Sequence, residues 1–233
     1  MTPQSAFATT TVAGAERATA FLRKVYGWMF AGLAITAGVA FGVASSPGIL
    51  RAIVSNPILF FGLFAAELGL VFYLSARVNR IAPGTAAGLF VLYSALNGAT
   101  LSFILLAYAG VSIATTFVVT AGMFGALALY GSTTKRSLAG VGQFVFMGLI
   151  GVILASIVGL FWHSDALQFV ISVVGVIVFT GLTAWDAQRL KQMAAVTPEG
   201  QVGSYAVVGA LALYLDFINL FLFLLRFLGG RRN

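Results

Sequence analysis

The sequence predicts an all-α, polytopic membrane protein of seven transmembrane helices, with the last helix central to the other six. Three observations predict it. Of 233 residues, 60% are hydrophobic and 8% charged, with mean hydropathy +1.02, whereas a soluble domain carries about 25% charged residues to coat its surface. The apolar residues gather into seven stretches, each close to the about 20 residues that cross a ~30 Å hydrocarbon core. Finally, the last of these stretches holds an aspartate, Asp216, near its middle, which keeps that helix out of lipid and places it inside a bundle.

Taken in order, residues 1–20 (MTPQSAFATTTVAGAERATA) are small and polar. They lack the basic and apolar regions of a cleaved signal peptide and are expected to form a disordered cytoplasmic tail. Residues 21–233 are expected to form the seven-helix transmembrane domain. Hydropathy and the charged breaks place the spans at Val25–Ala44, Pro57–Ala76, Gly84–Ala107, Val111–Tyr130, Leu138–Trp162, Leu167–Ala187 and Tyr205–Leu228. The long fifth span is expected to tilt or to emerge at one end. Gly38-x-x-x-Gly42 and Gly84-x-x-x-Gly88 put small residues on one helix face, the spacing that lets backbones approach closely.

The net charge of +7 does not imply a nucleic-acid partner, because the basic residues come in ones and twos beside apolar runs. Arg17, Arg23 and Lys24 precede the first span, Arg77 and Arg80 follow the second, Lys135 and Arg136 the fourth, and Arg189 and Lys191 the sixth. The alternate loops hold only Arg51, an uncharged turn near Gly110, and His163 with Asp165. The basic side is therefore the cytoplasmic one, and the N-terminus shares it. Arg231 and Arg232 conflict with this rule if the seventh segment spans fully. A re-entrant seventh segment would resolve the conflict, but the segment is long enough to span and has no Gly/Pro break in its middle, so a full span is the preferred reading. His163 reads as a solvated loop residue. Without cysteine there is no disulfide, thiolate metal site or thiol nucleophile.

Chemistry is confined to the six acids, three of which lie in or at the edge of the membrane. Glu67 falls near mid-depth of the second span. Asp186 lies near the cytoplasmic end of the sixth, sharing a face with Thr183, and three residues before Arg189, where a surface ion pair would account for it equally well. Asp216 stands about 16 Å above the start of the seventh span at 1.5 Å per residue. Steps of three and four put it on one face with Gly209, Ala212, Asn219, Phe223 and Arg226. The short connection from Gln192 to Ser204 makes the last two spans neighbours, so that Asp186 and Asp216 can face one cavity. Arg77 and Arg80 are topology determinants that can also snorkel towards Asp186. No lysine lies within a span to carry a Schiff base, LYL rather than Gly-x-Gly precedes Asp216, and no phosphate loop, zinc motif or serine-nucleophile motif occurs. The chain is expected not to be an enzyme and to need no cofactor.

The run LYLDFINLFLFLLRFLG, with GVIVFTGLTAWDAQRLK before it and RKVYGWMFAGLAITA near the start, resembles the transmembrane Bax inhibitor motif family, and most closely its bacterial, YccA-like members. The resemblance runs from about residue 20 to the end. It implies a seven-helix fold around the last helix and a pH-sensitive leak of cations, chiefly calcium, controlled by an aspartate pair that matches Asp186 and Asp216. It also implies a latching arginine on the second span. An ungapped match anchored on Glu67 puts Val78 at that place, with Arg77 one residue before and Arg80 two after, so Arg77 is the substitute by position, Arg80 the second candidate, and Glu67 an additional acid for the ion pathway.

On that reading the protein is a pH-sensitive calcium leak channel of the bacterial inner (plasma) membrane, gated by the pair Asp186 and Asp216, which holds the permeant ion only weakly and transiently. Two carboxyls in a low-dielectric pocket do not readily both ionise. Sharing a proton, they hold the last two spans together; when both are charged, they repel. Two other readings differ in class: a regulatory membrane protein that binds a membrane protease or channel partner through its tail, and a proton-coupled cation exchanger. The charge pattern yields one topological prediction. A reporter fused after Asn233 should read as external, and a cytoplasmic reading would reject the full seventh span in favour of re-entry.

Overall fold

The computed structural model describes residues 3–162 and 164–230, with the side chains of 3–13 and of 54 left aside. His163, Arg231 and Arg232, which enter the charge reading above, lie outside the described residues. The described chain is helical: α1 (Pro3–Ala44), α2 (Pro47–Ser55), α3 (Pro57–Arg77), α4 (Pro83–Ala107), α5 (Gly110–Thr133), α6 (Ala139–Phe161), α7 (Asp165–Val196) and α8 (Val202–Leu228), with a 3₁₀ turn at Glu199–Gln201 before the last. Among the described residues there is no strand. Seven of the helices, all but α2, are long and apolar enough to cross a membrane.

Four helices begin on proline, at Pro3, Pro47, Pro57 and Pro83, where the missing N–H costs nothing and the fixed φ suits the first turn. At α3 the cap is complete: the N–H groups of Ile58 and Leu59 donate to Asn56 Oδ1 at 3.1 and 3.2 Å. Helix α2 occupies a connection in which only Arg51 stands out in the sequence. With nine residues it is too short for a hydropathy window, yet it buries Ile53 while Arg51 stays exposed.

Two helices outrun their apolar segments. Helix α7 continues to Val196, nine residues past the predicted end, because AQRLKQMAA is built of strong helix formers. Helix α1 begins at Pro3 rather than Val25, so the stretch expected as a disordered tail is helical from residue 3, and Ala18 within it is buried. Hydropathy reports where the apolar residues stop; helical hydrogen bonding continues wherever propensity allows.

The chain divides into two compact units. The first comprises residues 1–103 and 189–211. Here α1 and α4 meet backbone to backbone: Thr36 Oγ1 donates to the Ser94 carbonyl at 2.9 Å, and a Cβ on Gly98 would come within 2.6 Å of the Thr36 carbonyl oxygen. The connection between α3 and α4 is fastened to the start of α8, where Ser204 Oγ donates to the Ile81 carbonyl at 2.6 Å and the Tyr205 hydroxyl donates to Asn79 Oδ1.

The second unit comprises residues 104–188 and 212–233. Its core joins Val145 and Val152 of α6, Ile171, Val178, Phe179 and Leu182 of α7, and Leu220 and Leu224 of α8. Phe117 and Phe124 of α5 lie edge-on to Phe217. The far end of α8 is tied to the turn before α5, the Ala109 N–H donating to the Gly230 carbonyl at 3.2 Å and the Gly230 N–H to Ser112 Oγ at 3.1 Å.

Helix α8 contributes to both units and is the interior helix of the fold. Of its most apolar window 67% is buried, against 39% for α7 and 11–33% for the other spans. It runs unbroken for 27 residues, about 40 Å, without the interruption at which a re-entrant segment would turn.

The glycine pairs singled out by spacing do not make the close contacts expected of them. A Cβ on Gly38, Gly42, Gly84 or Gly88 would meet nothing within 4 Å. Small-xxx-small spacing creates a flat face, but which face a neighbour occupies is decided by the whole helix, and between α1 and α4 the close approach falls at Gly98 instead. Gly98→Leu should therefore lower the thermal midpoint of the purified protein, by an overpacking cost of about 1–3 kcal/mol. Gly38→Leu should leave the midpoint unchanged, and equal effects from the two would contradict the α1–α4 packing described.

Candidate functional site

Asp216 is 5% exposed, and its Oδ2 is buried with no hydrogen-bond partner. Its flanking residues on α8, Leu213, Tyr214, Phe217 and Leu220, are all buried. Asp186, on α7, is 9% exposed. The level of one acid relative to the other follows from the packing of α7 on α8. Phe179 stacks on Phe223 with ring centroids 5.8 Å apart and an interplanar angle of 28°, and Phe223 also covers Gly175, where a Cβ would lie 2.7 Å from its ring. From that contact Asp186 lies seven residues on along α7 (186 − 179) and Asp216 seven residues back along α8 (223 − 216). Seven residues make about two turns. On antiparallel neighbours, equal steps in opposite chain directions bring the two acids to one level.

The polar side chains expected near the pair are turned elsewhere. Thr183 Oγ1 donates to the Phe179 carbonyl at 2.7 Å, and Asn219 Nδ2 to the Leu215 carbonyl at 2.8 Å, each closing on its own helix. Arg226 lies at the exposed end of the face and donates to Gln168 Oε1 at 3.2 Å. Asp186 is buried, so it does not lie on an exposed helix surface, while Arg189 three residues on is exposed.

Glu67 belongs to the first unit, ten residues from either end of α3. It is 8% exposed, and both of its oxygens are occupied: Asn97 Nδ2 donates to Oε2 at 3.1 Å and Thr100 Oγ1 to Oε1 at 2.6 Å. These two partners escape a reading of the sequence, although their i, i+3 spacing puts them on one face of α4. Arg77 and Arg80, the latch candidates, are exposed at and beyond the last turn of α3 in the same unit as Glu67. Among the described residues neither makes an ion pair with an acid, whereas Arg17 lies 3.6 Å from Glu199.

Gln188 is a further buried polar side chain that the sequence does not announce. Gln188, 8% exposed, accepts from the Leu138 N–H with Oε1 and donates to the Arg136 carbonyl with Nε2, both at 2.8 Å. The separations, 50 and 52 residues, explain why no local pattern announces it.

Among the described residues no three His, Cys, Asp or Glu side chains gather as a metal cluster. Calcium takes 6–8 oxygen ligands, so two carboxyls can supply charge to such an ion but must leave most of its shell to carbonyls and water.

Seven apolar helices, an interior last helix and acids buried within them define an integral membrane protein of the multi-pass class. The chain belongs to the family described as Inhibitor of apoptosis-promoting Bax1, whose model matches residues 18–233. It is 50% identical over 215 residues to the Inner membrane protein YbhL of Escherichia coli (strain K12), covering 91% of this chain and 92% of that protein. A protein of Borreliella burgdorferi is 46% identical over 215 residues, covering 91% of this chain and 93% of its own length. One of Deinococcus radiodurans is 43% identical over 214 residues, covering 91% of each.

The pairing of Glu67 with Asn97 predicts a non-additive double-mutant cycle. Asn97→Leu alone strands a buried carboxyl oxygen and should cost about 1–3 kcal/mol of stability. Adding Glu67→Leu should return part of that loss, since it removes the stranded oxygen and leaves only the half-buried Thr100 hydroxyl to turn to a carbonyl of its own helix. Strict additivity in thermal or denaturant unfolding would show that the two side chains do not interact.

Proposed function

We propose that this chain is a pH-sensitive cation leak channel of the bacterial inner membrane, with calcium as its permeant ion, no catalytic activity, and Asp186 and Asp216 as sensor and gate. The observation that carries the reading is the orphaned, buried Oδ2 of Asp216 beside a second acid. A structural carboxyl in so apolar a place would be expected to have its oxygens occupied, as those of Glu67 are. An unsatisfied one costs about 1–3 kcal/mol, and that cost is intelligible if the group has to change charge.

The mechanism follows from charge counting. With one proton between them the acids carry a single negative charge and attract, holding α7 to α8. When that proton leaves, two like charges face each other in a medium of low dielectric, and the helices separate unless a cation enters. A cation drawn in by the pair meets few further charged ligands, which favours passage over storage. Glu67 offers a second acid on a separate element, and Arg77 a cation by which the charged state could be latched.

Reconstituted calcium flux across a pH series is the test. In the parent, flux should rise as pH rises through the titration of the pair. Asp216→Asn keeps shape and hydrogen-bonding capacity but cannot ionise, and should abolish most of that pH response with the fold intact. Flux that tracks pH unchanged in Asp216→Asn would make Asp216 a structural acid and end this reading. Flux that needs an opposing ion gradient would identify an exchanger, and an effect lost on deleting residues 1–18 would identify a regulator acting through its N-terminal segment.

A further inference from the structure

The turn of α7 that carries Asp186 is gripped, on both sides of that residue, by a single helical hairpin. Before it, the Ala184 carbonyl packs on Gly131 of α5 so closely that a Cβ there would overlap it, and the Trp185 indole occupies the space a side chain on Gly142 of α6 would need. After it, Gln188 holds the connection 134–138 between those helices by the Leu138 N–H and the Arg136 carbonyl. The contacts at 184, 185 and 188 leave Asp186 inside the grip. All of these residues belong to the second unit.

The chemistry of Gln188 suits this role narrowly. A carboxamide carries a donor and an acceptor at one end, and the connection presents one backbone donor and one backbone acceptor. Leu138 N–H can only donate and the Arg136 carbonyl can only accept, so the partners fix the orientation of the amide. Glutamate would set an acceptor against a carbonyl, and methionine would satisfy neither group.

We propose that Gln188 is a positioning residue that couples the α5–α6 connection to Asp186, so that a change of charge in the acid pair is passed to that connection as movement. This rests on reading Asp186 and Asp216 as the sensor. The charged groups of the surrounding elements are few. Helix α8 supplies Asp216 and, at its far end, Arg226; α7 itself supplies Arg189 and Lys191 after Asp186 and Asp165 at its start; the connection supplies Lys135 and Arg136. Helices α5 and α6 contain no charged residue at all, Tyr130 being a titratable group at the exposed end of α5. A rise in repulsion between Asp186 and Asp216 therefore displaces α7 against a hairpin whose two helices carry no charge, its cations Lys135 and Arg136 lying in the connection that Gln188 holds, and the grip at 184–188 carries the hairpin along.

The absence of cysteine gives a clean test, since Lys135→Cys provides a single site for a spin label in the full-length protein in lipid vesicles. In that background the label's mobility should change over the pH range in which the carboxyls titrate by infrared spectroscopy, and adding Asp216→Asn should make it indifferent to pH. Adding Gln188→Met should leave the label mobile at every pH while the carboxyls still titrate. Hydrogen exchange at Leu138 should then be faster by roughly fivefold, the weight of one lost hydrogen bond. If Gln188→Met does not fold, Gln188→Ala, which removes both bonds without adding a titratable group, should show the same uncoupling. A label that ignores pH in the Lys135→Cys parent, or that follows pH in the Gln188 variant as in that parent, overturns the coupling. Absence of calcium flux from the parent would refute the channel reading alone, and the label would still decide whether Gln188 joins the connection to the pair.

Discussion

The fold depends on one unfavourable act, the placing of Asp216 inside an apolar helix. A carboxylate at mid-membrane costs about 2.5–3.5 kcal/mol even on the most lenient scales. Lipid cannot repay any of it, so the helix that carries the acid must be walled in by protein, and α8 is the helix with 67% of its apolar window buried. The enclosure does not satisfy the acid completely, for Oδ2 remains without a partner. The same residue thus dictates which helix is interior and leaves that interior with an unsatisfied polar atom.

Glu67 shows that this outcome was not forced by composition. It is as buried as Asp186 and Asp216, yet an amide and a hydroxyl from the next helix cover both of its oxygens. Both donors are neutral, and they can serve a charged carboxylate or, through its remaining acceptor capacity, a protonated one. Asp216 has no such provision on Oδ2, although Asn219 stands three residues away and Thr183 three residues from Asp186. Each of those side chains bonds to its own helix instead. Two acids of similar burial are therefore treated in opposite ways, and the contrast lies in partners.

How far the sequence can be read divides along the range of the interactions concerned. The seven spans and the interior position of the last rest on composition and helical period, which are local, and they are legible; so is the burial of Asp186 and Asp216, two acids within apolar helices. The end of α7 at Val196 is misjudged because hydropathy and helix propensity part company where apolar residues give way to Ala, Gln, Lys and Arg; the start of α1 at Pro3 has no such explanation, since Thr9, Thr10, Thr11, Val12 and Gly14 are poor helix formers. Helix α2 is shorter than the window that finds spans. The glycine pairs at 38/42 and 84/88 are visible as spacing, but spacing does not say which face a neighbour takes. Asn97, Thr100 and Gln188 are missed for a common reason: each acts on a partner 30 or more residues away, and nothing in the local sequence around an amide or hydroxyl reveals which distant group it bonds.

Those long-range bonds decide what can move. Ser204 and Tyr205 tie the connection between α3 and α4 within one unit, and Gln188 ties the connection between α5 and α6 within the other. At the opposite end of the second unit the Gly230 backbone is bonded to Ala109 and Ser112. Apolar side chains between helices resist separation but offer little resistance to sliding, since one methyl replaces another at small cost; directional bonds at a connection do not tolerate a shift of an ångström. A helix whose neighbours are pinned at their connections therefore moves together with those connections. For α7 the pinned point lies two residues from Asp186, and a displacement that begins at the acid cannot stay there.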